Sequence, residues 1–188
     1  MNPMRTLLLS VLLAVPCRAG ETWTGTAAVQ FTGYSTLHDF EGKVNVPLTV
    51  KRDGGELSAK ADAEVAKMDT DHDERDEKMR AMFSAAKHRF IDVEVKRASE
   101  NRARPVKGED GKEKPGVLPL KLTIAGTSRE FAVSTTGLRD DGKGHVEFDL
   151  AFPVSLKEFG LKAPSALLGA VSVKDRVDVV VHVVLEKK

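Results

Sequence analysis

Eight runs of this chain put apolar residues on alternate positions, and that periodicity admits little except antiparallel β-structure. The stretch from Leu118 to Val133 shows it most clearly. Leu118, Leu120, Leu122 and Ile124 share one face, with Lys121 and Thr123 between them. Ala125-Gly126-Thr127-Ser128 interrupts the run with turn chemistry, because glycine tolerates φ > 0 and short hydroxyls bond to the backbone. Phe131 and Val133 then resume the alternation.

The same reading applies along the chain. Trp23, Ala27, Val29 and Phe31 mark a first strand, and Phe40 leads into a second with Val44, Val46, Leu48 and Val50 in phase. Pro47 removes one ladder donor there, which predicts an edge or a bulge. Asp53-Gly54-Gly55 is a hairpin turn. Leu57, Ala59, Ala61, Ala63 and Val65 form the third strand, whose small residues predict a place where something else fits closely. A helix is expected next. Asp71, Asp73, Glu74 and Asp76 come first and Lys78, Arg80 and Lys87 last, as the macrodipole favours, and Met79, Met82, Phe83 and Ala86 form one apolar stripe. Phe90 opens a strand with Ile91, Val93 and Val95 on one face, and residues 99–116 read as an exposed charged loop. Val146, Phe148, Leu150 and Phe152 follow the Leu118–Val133 hairpin, and Ser155 to Ala170 reads as irregular. In the final strand Val177, Val179, Val181, Val183 and Leu185 are in phase, while Val180 and Val184 suggest cover on both faces.

The N-terminus has a different character. Arg5, an apolar run from Leu7 to Val15, and small residues around Ala19 read as a signal peptide over residues 1–19, with one domain over 20–188. The apolar run is too short to span a bilayer. Cys17 is the only cysteine, and Pro16 is a poor residue before a lipoprotein cut, so lipid anchoring there is the lesser alternative to a freely periplasmic or secreted protein. Without Arg5 and Arg18 the formal charge passes from +1 to −1. So neutral a chain has no global field to draw nucleic acid or anionic lipid.

An eight-stranded up-and-down sheet closes into a barrel that can hold one small ligand, and a β-sandwich is the alternative. Four motifs in order sharpen this: Leu37-His38-Asp39-Phe40-Glu41-Gly42, Arg75-Asp76-Glu77-Lys78-Met79, Leu122-Thr123-Ile124-Ala125-Gly126-Thr127-Ser128-Arg129, and Phe159-Gly160-Leu161 with Asp175 and Val177. Together they resemble the YceI-like proteins. That resemblance implies an exported bacterial protein with an all-β, eight-stranded antiparallel lipocalin-like barrel that binds polyisoprenoid chains. It also implies one short lid helix and an irregular or helical segment before the last strand. Met68-Asp69-Thr70 before the helix, Ser128 inside the third motif and the long charged loop depart from the family pattern.

On this reading Phe31, Val46, Phe90, Val93, Phe148 and Phe152 line the barrel, and Met79, Met82 and Phe83 form an adaptable lid. Filling of a dry core is the competing role for all nine. Arg75 and Arg80 are candidates for a phosphate-bearing head group, with solvated helix charges as the alternative. No G-x-S-x-G elbow, H-E-x-x-H motif or complete dinucleotide fingerprint is present. His145, Glu147 and Asp149 share one strand face and pose a surface metal site against an ordinary wet face. The expectation is therefore a non-enzymatic protein with no catalytic residue, metal or cofactor beyond a bound isoprenoid lipid or quinone. Its partner is an apolar lipid-like molecule, with a homodimer as a further option. A filled-core, stress-protective envelope protein is the rival, and a hydrolase using His38 and nearby acids is a third reading.

Overall fold

The computed structural model describes residues 20–166 and 171–188, so the signal-peptide reading and Cys17 lie outside the described residues. The chain runs β1 (Glu21–Ser35), β2 (Phe40–Asp53), β3 (Glu56–Glu64), α1 (Asp73–Met82), β4 (Phe90–Ser99), α2 (Glu100–Ala103), β5 (Val106–Lys107), β6 (Glu113–Lys114), β7 (Gly116–Ile124), β8 (Thr127–Asp140), β9 (His145–Ser155), β10 (Ser165–Ala166) and β11 (Val171–Lys187). Eight strands pair antiparallel in the order β1-β2-β3-β4-β7-β8-β9-β11, and β11 pairs back onto β1. The barrel is closed. A sandwich is thereby excluded.

Closure divides the strands by parity, interrupted where bulges shift the register in β1, between β3 and β4, and in β8. Leu120, Leu122 and Ile124 of β7 and Val181, Val183 and Leu185 of β11 are buried inward, as the alternation predicts. Each hairpin sets its own register. Ile124 pairs with Thr127 across only Ala125 and Gly126, both at positive φ, the two-residue turn that matches strand twist. Thr127 and Ser128 already belong to β8. Pro47 is accommodated where β3 leaves β2, since their pairing starts only at Leu48 and Ala61.

Three expectations change, and a fourth gains detail. The helix is shorter than its apolar stripe: α1 ends at Met82, and Ser84 with φ 52° breaks the screw before Ala86. Residues 99–116 are ordered into α2 and the small β5–β6 hairpin, because Glu100 and Arg104 find long-range partners that a loop reading cannot see. The final strand is covered on one face only, with Val180 49% exposed. Within the segment before β11, a 3-10 turn over Lys157–Phe159 buries Phe159 completely. Asp175 holds this turn. It accepts bonds from Ser155 Oγ (2.7 Å) and the Lys157 amide (2.8 Å), which keep its carboxyl below the usual range.

The β1–β11 seam requires glycine at position 25. A Cβ there would lie 1.9 Å from the Val184 carbonyl oxygen, a backbone atom that cannot yield without opening the seam. Gly25→Val is therefore expected to destabilise the barrel by roughly 1–3 kcal/mol, read as a lower urea midpoint, and an unchanged midpoint would contradict the seam's tightness.

Candidate functional site

The inward faces of the eight strands do not fill the space they enclose. A cavity of about 540 Å³ runs along the barrel, walled by apolar side chains from every strand of the ring. Its room has a visible origin: Ala59, Ala61 and Ala63 of β3 occupy inward positions where a larger residue would reach the axis.

Of the residues expected at this site, Phe31, Val46, Val93, Phe148 and Phe152 line the cavity wall, and Met79, Met82 and Phe83 line its α1 end. Met79 and Phe83 are buried and Met82 is half-buried against the core, so the stripe packs as well as faces the cavity. Phe90 does not belong. Ile91, Val93 and Val95 point inward, so Phe90 must point outward, where it is 41% exposed with the Arg89 guanidinium 5.5 Å over its ring. Of the head-group candidates, Arg75 lies on the cavity rim, whereas Arg80 is not part of the lining.

Two of the sequence motifs meet at this rim. The Arg75 guanidinium stacks 4.8 Å over the Phe40 ring and donates from Nε to Thr70 Oγ1 at 3.0 Å. Buried Asp76 accepts from the Thr70 hydroxyl (2.6 Å) and the Thr70 amide (3.0 Å). Arg75 and Asp76 thus anchor α1 to the preceding turn and to the start of β2. His38 sits on the same rim, with its amide and carbonyl tied to Ser35 Oγ as a turn requires.

At the opposite end, Arg52, Glu100, Ala103, Arg104 and Asp140 line the cavity, and none was expected there. Their ion pairs join positions 36 and 48 residues apart, and no local pattern in the sequence carries that signal.

The outer-face candidates satisfy one another. His145 bonds Glu186 through Nδ1 and Glu147 through Nε2 (3.0 Å), and His182 bonds Asp149 at 2.8 Å. Among the described residues no group of three His, Cys, Asp or Glu side chains could hold a metal ion. The acids, Glu186 first and Glu147 second, raise the His145 imidazole from 6.5 to about 9.

The YceI-like domain family matches residues 20–185. The chain belongs to the YceI-like family. No curated protein matches the sequence. Among solved structures the chain is similar to BcnA of Burkholderia cenocepacia, at 19% identity and TM-score 0.64, covering 84% of this chain and 95% of that one. It is also similar to a polyisoprenoid binding domain from Saccharophagus degradans implicated in plant cell wall breakdown. That pair shares 11% identity and a TM-score of 0.64, covering 88% and 98% of the two chains. A Campylobacter jejuni YceI protein aligns at 19% identity and TM-score 0.50, over 71% of this chain and 72% of that one. At such identities the likeness is one of fold, and the lipocalin-like barrel of the YceI-like family is the fold observed here. Among the described residues no helix is long and apolar enough to cross a membrane.

Two measurements probe these networks. Asp76→Ala leaves the Thr70 donors unpaired and is expected to cost about 1–3 kcal/mol, seen as a lower melting temperature, whereas an unchanged value would show that α1 is held by packing alone. His145 is raised in the folded state, so its contribution is complete below pH 6.5 and is lost as pH rises through about 9. The stability advantage of the native chain over His145→Gln should therefore shrink across that window, and a pH-independent difference would refute the pairing with Glu186 and Glu147.

Proposed function

We propose that this protein is a non-enzymatic binding barrel that carries or sequesters a long apolar molecule, of the isoprenoid-lipid or quinone class, in the cell envelope. One observation carries the reading: the barrel encloses about 540 Å³ of apolar-walled space rather than a packed core. A chain molecule entering that space removes apolar surface from water at roughly 25 cal/mol per Å², and needs no charged partner along the wall. The similar Saccharophagus degradans domain is a polyisoprenoid binding domain, which points to the same ligand class. The envelope location rests on Arg5, the Leu7 to Val15 run and the small residues near Ala19.

The rival reading, a filled-core protein acting through its surface, needs an interior without room, and the alanine face of β3 runs against it. For the hydrolase reading, His38 offers an imidazole on an exposed turn, where its backbone carbonyl and amide bond to Ser35 Oγ.

Native mass spectrometry of protein gently extracted from its own envelope should reveal a co-purifying lipid, and a clean apo mass would favour the filled-core rival. Ala61→Phe puts an aromatic ring into the cavity from a wall position. It should lower lipid retention by roughly tenfold or more, the equivalent of about 1.4 kcal/mol, while the β circular-dichroism signal persists. Full retention by that variant would place the ligand elsewhere.

A further inference from the structure

The two ends of the cavity are built from different chemistry. Around an eight-strand ring ordered β1-β2-β3-β4-β7-β8-β9-β11, β2 and β8 stand four strands apart, on opposite walls. A row of ion pairs connects them. Arg52, at the end of β2, donates from Nε to Glu100 Oε2 at 2.7 Å. The other oxygen of Glu100 accepts from Arg104 Nε (3.0 Å) and its NH2 group (2.9 Å). Arg104 NH2 continues to Asp140 Oδ2, at the end of β8, at 3.3 Å. All four residues belong to the cavity lining. The Glu100 side chain, the hub of the row, is only 13% exposed.

The backbone beneath this row is pinned as well. β4 and β7 pair only from Asp92 to Glu94, and beyond that point α2 packs where the wall thins. The Glu100 amide donates to the Gly55 carbonyl at 2.9 Å, in the β2–β3 turn. At the foot of β7, a Cβ on Gly116 would lie 2.1 Å from the Ala103 carbonyl oxygen, so α2 seats there only because position 116 is glycine.

We propose that the row Arg52–Glu100–Arg104–Asp140, carried on α2, is a latch that closes this end of the barrel and limits the length of apolar chain the cavity accepts. The length limit rests on the carrier reading, whereas the closure rests on the geometry alone. An apolar chain that reaches Glu100 can advance only by breaking its pairs and desolvating a carboxylate against hydrocarbon, which low-dielectric surroundings penalise heavily. The chain therefore stops at the row, and ligands load from the α1 end.

Two readouts test this. In a Cys17→Ser background, Val50→Cys places a thiol on a wall position two residues from Arg52. Its modification by a charged methanethiosulfonate should be slow in the otherwise native protein. It should quicken by roughly tenfold or more when Glu100→Ala or Gly116→Val is added, the shift that about 1.4 kcal/mol of lost closure produces. Equal rates in both folded variants overturn the latch. Separately, loading with farnesol, geranylgeraniol and solanesol, followed by native mass spectrometry, should show native protein favouring the shorter chains and Glu100→Ala accepting the longest. An identical length profile overturns the length limit. If thiol modification quickens but native protein holds no prenol of any length, the latch stands and the carrier reading falls.

Discussion

Everything in this molecule follows from β1 pairing with β11. That seam runs from Trp23 opposite Lys187 to Ser35 opposite Val173, and it converts a meander with two open edges into a ring without any. An open sheet of the same strands would expose two ladders of backbone donors and acceptors and could curl to any radius. Closure fixes the radius, and the radius decides whether inward side chains meet at the axis. Lys187 pairing with Glu21 at 2.7 Å, an interaction that lowers the Glu21 carboxyl below its ordinary value, adds a partly exposed charge contact to the seam. Such a pair contributes little by itself, and the backbone ladder and the missing Cβ at Gly25 carry the join.

The interior that results is shaped more by what is small than by what is large. Phenylalanine rings lie against glycines across β1 and β2, with Phe31 over Gly42 and Phe40 over Gly33, so these rings fold onto the wall instead of crossing the axis. Ala59, Ala61 and Ala63 add further room from β3. The apolar face of each strand is thus satisfied along its base and left unfilled at its tip, which is the physical meaning of a binding barrel. Apart from the buried Thr135 hydroxyl on the β8 wall, the polar networks of the cavity lie at its two ends. Asp76, Thr70 and Arg75 tether α1 at one end, and Arg52, Glu100, Arg104 and Asp140 span the other.

Much of this was legible from residue order. The strand succession, the Ala125-Gly126 turn, the inward phase of β7 and β11 and the alanine face of β3 all follow from local periodicity and turn chemistry. Phe90 was also decidable, because parity with Val93 already places it outside; its aromatic bulk suggested the wrong face. Residues 99–116 were not decidable in this way. Their charge and lack of apolar pattern fit solvated chain, and their order comes from Arg52 and Asp140, which reach them only once the barrel has closed. Ala86 misled for a similar reason, since periodicity continues past the point where Ser84 adopts a left-handed conformation.

The sequence by itself determined that this chain forms eight paired strands with one apolar face each, because a period of two is a property of neighbouring residues and needs no partner. Tertiary structure alone decided that the faces enclose a cavity instead of pressing together, and which charged residues bar its far end. The small residues of β3 supply part of that room, but both outcomes depend on distances between strands far apart in the chain, which the ring's circumference sets and no single strand specifies.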